Sequence, residues 1–526
     1  FGEEIMDEEQ WQDSIDAWKL SFLVPLIEKV LPNQNNPVEF QAKISNFLKS
    51  AINGNFLSSE DVVLPPIVRL NRFLVKQMCE HPTSEIFDDL KQTITNYCLL
   101  IQQVEEPSDT VKYFLLDVVK VFKNPIEMLR LLALKWLSLD DTYLLKQCAI
   151  DPEFKMILLV AIYLERFDLD ENCVELATNL WGLLRFIEIP EMHSSILNET
   201  IHHEDFVQSE TAEVIRELAS EFPELINVFF NGLFDFYKKY LIIVPEETDN
   251  VGRMVKPAYD PIIERIGISK ALIRLADIIP LNMTQKFVEE IGEKLNEHDG
   301  RVHSNLRSAA IVVIKRHGQQ CIGTLLPYLE TKLTNAPKTE DGDHIRQGLV
   351  VLMGTLGMYL GNEPNRVVQI FKTLIEALST PSESVQRSVA NCLPGLVGFI
   401  ETESIETLEQ LLHIMEVSDN YGDRRGAAYG IAAIVRGLRA CVIVDVNLLK
   451  KIENMVTSKS NANQRESALL IMELLFVIMG HESEPFMPGF IPYLLLTYGD
   501  NNAAVRKATA DAGSGLMAAL SPYGAK

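Results

Sequence analysis

The sequence predicts an all-α fold, a superhelix of HEAT/armadillo-like repeats (an α-solenoid). Three observations predict it. Apolar residues fall on single helix faces, capping residues mark helix starts, and one helix-start pattern returns about every 40 residues.

The faces come first. Ile345, Leu349, Leu352, Met353 and Leu356 stand at offsets 0, 4, 7, 8 and 11, a single stripe of a 3.6-residue period. Val505, Ala508, Ala512, Leu516 and Ala519 stand at 0, 3, 7, 11 and 14. The starts follow. Thr380-Pro381-Ser382-Glu383 reads as a capping box with Thr380 as N-cap, and Asn124-Pro125 and Asp151-Pro152 repeat the idea. Ile311-Val312-Val313-Ile314 is β-branched but lies inside a helical pattern, and no two-residue hairpin signal sits between alternating strands.

The repeats complete the argument. Inner helices start at Val302-His303, Ile345-Arg346, Val385-Gln386, Arg424-Arg425, Gln464-Arg465 and Val505-Arg506, with spacings of 43, 40, 39, 40 and 41. A unit of two helices cannot hide its apolar side alone, so neighbours stack into a curved rod. Residues 262–526 read as regular HEAT repeats. Residues 244–261, rich in Pro, Asp, Glu and Gly, read as a connecting loop, and residues 1–243 as irregular helical repeats.

Composition narrows the function. The chain has 526 residues, too many for one ordinary core, and its 47% hydrophobic and 23% charged residues are those of a folded protein. The net charge of −25 argues against a uniform nucleic-acid-binding surface. The longest uncharged apolar run, Met156 to Leu164, is half of a membrane span, so no membrane is expected. Seven scattered cysteines without a C-x-x-C pair fit a reducing compartment and no zinc knuckle. No leader is visible, and Phe1 suggests a piece of something longer.

Charge is uneven. Residues 421–526 hold 11 bases and 9 acids, while the preceding 420 carry −27. The first 17 residues hold seven acids and no base. The distribution by itself reads first as an acidic surface that keeps a long rod soluble; if any part touches a polyanion such as ribosomal RNA, the C-terminal fifth is where the contact is expected.

Catalytic patterns are missing. Gly422 to Gly426 has the glycine spacing of a phosphate loop, but Ala427-Ala428 stand where Lys and Ser/Thr belong. His202-His203-Glu204 has no second histidine on its helical face, and His298 and His303 are five apart. No catalytic, cofactor-binding or metal-ligating residue is assigned, and the chain is not expected to be an enzyme. Basic residues at the inner-helix starts have two readings. Arg346, Arg425, Arg465 and Arg506, with Asp343, Asp423 and Asp500 just before three of them, suggest a structural ladder tying repeats together through charge-assisted hydrogen bonds. Arg506→Ala is then expected to lower stability by about 1–3 kcal/mol. Arg424, Lys450, Lys451 and Lys507 stand beside the ladder and are the candidates for exposed partner contacts.

The run Tyr421-Gly-Asp-Arg-Arg-Gly-Ala-Ala-Tyr-Gly-Ile-Ala-Ala-Ile-Val-Arg-Gly-Leu438 resembles a hallmark of one family. This is the giant HEAT-repeat translational activator of the general-control kinase, which phosphorylates the alpha subunit of initiation factor two. The likeness continues through Arg465-Glu-Ser-Ala-Leu469, Glu484-Pro-Phe-Met487, Ile491 to Asp500, and Tyr523-Gly-Ala-Lys526. Upstream it takes in Leu378 to Gln386, Asn391-Cys-Leu-Pro394 and Ile345 to Gly354, and more weakly reaches about Tyr163. The resemblance implies a cytoplasmic scaffold without cofactors that binds translating, stalled or collided ribosomes. It implies an ATP-binding-cassette partner protein and activation of the kinase under amino-acid starvation. It places this stretch in the middle of the family protein, approaching an elongation-factor-three-like region, with the kinase-docking region further C-terminal. The alternative is a HEAT cargo carrier such as a nuclear import receptor. Such carriers array tryptophans on successive inner helices, whereas Trp11, Trp18, Trp136 and Trp181 all precede residue 182 without a repeating interval.

Overall fold

Helix follows helix, in a computed structural model that describes residues 63–521 apart from 64, 84–86, 140, 249–253, 338 and 361–362. The acidic first 17 residues and the Tyr523–Lys526 motif lie outside the described residues. The chain divides into two compact units, Phe1–Leu275 and Ala276–Lys526.

The first unit contains α1 (Pro65–Glu80), α2 (Phe87–Ile101), α3 (Asp109–Lys120), α4 (Glu127–Leu139), α5 (Asp141–Ile150) and α6 (Pro152–Glu165). It continues with α7 (Glu171–Leu183), α8 (His193–Glu199), α9 (Asp205–Glu221), α10 (Leu225–Lys239) and α11 (Ile262–Ala276). Local chemistry sets the starts. Asp151 caps α6 by accepting from the Phe154 N–H at 2.9 Å, with Pro152 in the first turn, where its missing N–H costs nothing. Asp170 caps α7 through Cys173 N–H in the same way. Phe114, Tyr97, Trp136, Leu158 and Phe229 fill the core, Tyr97 meeting Phe114 edge-on at 4.9 Å.

One departure from the expected loop stands between α10 and α11. β1 (Glu247–Thr248) and β2 (Met254–Lys256) pair antiparallel, and Val244 bridges Tyr259 below them. No short hairpin dipeptide marks this ribbon in the sequence, because a longer connection closes it.

The second unit contains α12 (Leu281–Gly292), α13 (Gly300–Asn335), α14 (Glu340–Gly357), α15 (Pro364–Ala377), α16 (Glu383–Cys392) and α17 (Pro394–Val397). It ends with α18 (Glu401–Val417), α19 (Tyr421–Leu438), α20 (Val442–Asp445), α21 (Leu448–Val456), α22 (Ala462–Met479), α23 (Met487–Thr497) and α24 (Ala503–Ala519). Helices α13, α14, α16, α19, α22 and α24 stack in that order as one layer, and these are the six starts read from the period. Their stripes face inward: Leu349, Leu352, Met353 and Leu356 are fully buried, as are Val505 and Ala512. The first repeat departs from the two-helix plan. α13 runs unbroken for 36 residues and carries Pro327 inside it.

The cap of α16 is a second correction. Ser382, not Thr380, is the N-cap. The Thr380 carbonyl is taken by the Gln386 side chain, which holds the preceding turn one step further back.

Glycines let the layer close. A Cβ on Gly426 would stand 2.2 Å from the Leu378 carbonyl oxygen, and one on Gly430 2.7 Å from Leu411 Cδ1. The two glycines of the Gly-Ala-Ala-Tyr-Gly run thus mark the points where α19 lies so close to its neighbours that no Cβ fits. Ala427, Ala428 and Ala432 are buried around it. No described helix is long and apolar enough to cross a membrane.

Candidate partner-binding cleft

Each turn before a layer helix leaves carbonyls without intrahelical partners. A side chain one turn into the helix reaches back to them and, in several repeats, forward to the next repeat. Arg465 donates to the Ser458 carbonyl at 2.8 Å and makes two bonds to Asp500 of the following repeat, at 2.7 and 3.0 Å. Gln386 reaches the carbonyls of Leu378, Thr380 and, one repeat on, Gly422. His303 bonds the His344 carbonyl at 3.0 Å. In the first unit, Arg130 holds the Asn124 carbonyl and both oxygens of Asp168.

The other ladder residues divide. Arg346 pairs with Asp343 of its own turn and bonds the Ala336 and Pro337 carbonyls. Arg425 reaches back, to Gln386 Oε1 at 2.8 Å, the Pro381 carbonyl and Glu383. Arg506 is exposed and bonds only the Asp500 and Asn501 carbonyls before it. Asp423 is half-buried and pairs with none of the described arginines.

The contact candidates also divide. Arg424 is corrected: it is 2% exposed, bonds the Ser418 and Asp419 carbonyls and pairs with Glu466 of the next repeat. It occupies the rung that Arg465 occupies one repeat on, so the first arginine of the Arg-Arg pair faces inward. Lys450 is exposed, Lys451 pairs with Glu409 at 2.8 Å, and Lys507 is exposed.

Lys507 and Arg425 meet across a cleft of about 450 Å³ built by α16, α19, α22 and α24. It is acidic, although the C-terminal fifth around it holds more bases than acids. Glu383, Glu466, Glu473 and Asp511 line it against only Arg425 and Lys507, with Tyr421 and Tyr429 as walls. Tyr429 donates to Glu383 at 3.2 Å, and the Arg424 and Arg425 guanidinium groups lie 5.9 and 5.7 Å from the Tyr421 ring centre. Burial, reinforced by Asp511 and Glu383, raises the Glu473 carboxyl above its ordinary value. The Arg465 hydrogen bond lowers Asp500. The acids were missed singly but share faces: Glu466 and Glu473 are seven apart, Lys507 and Asp511 four. The arrangement suits a ligand that presents positive charge beside an aromatic or aliphatic surface.

Three clusters elsewhere test for metals. Glu165, Asp168 and Cys173 bring ligand atoms within 4.8 Å of one another, all buried. Arg130 already supplies the positive charge there through two bonds to Asp168, while one buried oxygen of Glu165 is left without a hydrogen-bond partner. Burial first, then Glu210 and Asp168, drives Glu165 far up, and burial pushes Glu210 up to about 8. His298, in the turn before α13, and His303, inside α13, both approach His344, with ring centres 5.8 Å away. Burial and nearby Arg307 pull His303 down to about 4, which keeps it neutral. His202 stacks on His203 and accepts from the Glu204 N–H, a turn rather than a ligand set.

Known proteins resemble this chain in two ways. Residues 149–358 match the family model of the HEAT repeats of the stalled ribosome sensor GCN1, and residues 424–526 that of the N-terminal HEAT repeat of EF3. The human stalled ribosome sensor GCN1 is 32% identical over 378 residues, covering 72% of this chain and 14% of that one. The yeast eIF-2-alpha kinase activator GCN1 is 25% identical over 69% of this chain and 14% of its own length. Among solved structures, Kap121p bound to Pho4p is 13% identical with a TM-score of 0.45, covering 95% of this chain and 52% of that one. The chain thus spans about 14% of the length of the relatives it matches. It is a HEAT-repeat homologue of a stretch of the GCN1 proteins, as the motifs between Tyr421 and Arg506 imply.

Proposed function

We propose that this chain is a non-catalytic scaffold segment of a GCN1-type activator in the cytoplasm. It holds ribosomes and supports activation of the kinase that phosphorylates initiation factor two alpha when ribosomes stall or amino acids run short. The ATP-binding-cassette partner belongs to the same proposal. One observation carries it: similarity over 72% of the chain to a protein named a stalled ribosome sensor, with further relatives named kinase activators. The stacked layer supports it, because a rigid run of repeats offers successive helix starts as contact points. The import-receptor alternative is weaker, since those names point to the ribosome and the kinase.

Lys450, Lys451 and Lys507 remain the proposed contacts of the second unit. Replacing all three by Glu should reduce co-sedimentation with ribosomes and flatten its salt dependence. Unchanged binding and an unchanged slope at two salt concentrations would overturn these contacts.

A further inference from the structure

One hollow of the first unit holds more bases than acids, where the average charge of the chain gives no hint of it. A groove of about 1240 Å³ runs along α1 and α3. Five bases (Arg69, Arg72, Lys76, Lys120 and Lys123) line it against three acids, Glu80, Asp117 and Glu204, in a chain of net charge −25. The bases are arrayed by helix geometry: Arg69, Arg72 and Lys76 stand at offsets 0, 3 and 7, one face of α1.

The array is held in place. Asp117 takes Arg72 on one oxygen at 2.5 Å and Lys120 on the other at 2.7 Å, which draws cations of two helices together. Glu199 holds Lys123 at 2.6 Å. Lys76, 3.7 Å from Glu80, and Lys120, on Asp117, still expose 70% and 73% of their side chains, so a ligand phosphate can reach both from the solvent side. Beside them Tyr113 is 54% exposed, and the Arg72 guanidinium lies 5.6 Å from its ring centre.

We propose that this groove binds single-stranded RNA, with phosphates on Arg72, Lys76 and Lys120 and a base stacked on Tyr113. Phosphates fit the cations, and a flat ring backed by a guanidinium is the platform on which an unpaired base stacks. An acidic protein segment would meet the same charge but would leave the tyrosine face unused. The inference adds a nucleic-acid contact to the scaffold reading and does not depend on it, because free RNA is the ligand tested.

The experiment is fluorescence anisotropy of a labelled 12-nucleotide oligouridylate titrated with the chain at two salt concentrations. Lys76→Glu/Lys120→Glu should weaken binding at least about tenfold and reduce the salt slope by about 1.4, which is about 0.7 for each of the two phosphates no longer neutralised. Tyr113→Ala should weaken it about fivefold or more without changing the slope. Both variants change exposed groups, and a parent-like melting curve checks the fold. If either unfolds, Lys76→Gln/Lys120→Gln and Tyr113→Phe replace them, the first weakening binding and the second preserving it. Parent-like affinity in folded charge variants overturns the proposal. So does a polyglutamate peptide that competes for the same lysines while Tyr113→Ala has no effect, which would mark a site for acidic protein. Loss of RNA binding with ribosome co-sedimentation intact would support this groove as a separate RNA site and leave the scaffold reading standing.

Discussion

Arg130–Asp168 and Arg465–Asp500 make the same two-bond contact, one in each unit, in different surroundings. The first is almost wholly enclosed, with side chains 6% and 0% exposed, and Glu165 and Glu210 crowd against it. The second is 16% and 11% exposed. Burial first, and then the neighbouring acids, raise the Glu165 and Glu210 carboxyls, which favours their neutral forms beside a single guanidinium that cannot balance three ionised carboxylates out of water. The more open pair needs no such help. A single device, an arginine closing a turn and gripping the next repeat, is thus a charge-balancing core element in one unit and a modest clip in the other.

The largest effect expected is from Arg130→Ala. It strands Asp168 beside two more buried acids and should cost about 3–5 kcal/mol. Urea unfolding followed by tryptophan fluorescence reports it selectively, because all four tryptophans lie before residue 182. A loss no greater than that of Arg465→Ala would erase the contrast.

The next effect is in pH. An acid whose folded pKa is raised binds its proton more tightly in the native state, so stability falls as pH rises above its unfolded value. With Glu210 near 8, the first unit should lose stability between about pH 4.5 and 8 and level off above, by up to about 1.4 kcal/mol per pH unit for this carboxyl. Glu210→Gln should flatten the slope. Asp500 has the opposite sign: its contribution is present above about pH 3.9 and is lost as pH falls through its lowered folded value. A first unit whose urea midpoint rises from pH 5 to 8 would contradict the protonated neighbours.

Gly426→Ala should cost about 1–3 kcal/mol, because the methyl meets the Leu378 carbonyl oxygen at 2.2 Å and the backbone must shift. Amide exchange in α19 measures it. Arg465→Ala should cost about 1–2 kcal/mol, discounted for its partial exposure. Arg506→Ala should change stability by less than about 0.5 kcal/mol, because its side chain is exposed and touches only its own turn. That is below the sequence expectation, and a larger loss for Arg506 than for Arg465 would reverse the order of the clips.

Much of the fold was legible because helices and repeats are written in local periods. The stripes at Leu349 to Leu356 and Val505 to Ala519, the starts near 302, 345, 385, 424, 464 and 505, and the caps Asp151 and Asn124 each depend on neighbours a few residues away. The ribbon at 247–256 and the unbroken α13 were not legible, since no nearby residue announces either. The cleft was half legible. Arg425 and Lys507 were singled out, but their acidic neighbours were not, and Arg424 was assigned to the surface when it is buried.

By itself, then, the sequence determined the helical period, the 40-residue repeat and the glycine-rich run that fits one layer. Those follow from which side chains share a helix face and which positions lack a Cβ. Tertiary structure alone decided which member of Arg424-Arg425 turns inward, which acids face Lys507, and that five bases of an acidic chain converge between α1 and α3. The reason is distance: such partners are tens of residues apart along the chain, and only stacking brings their charges close enough to act on one another.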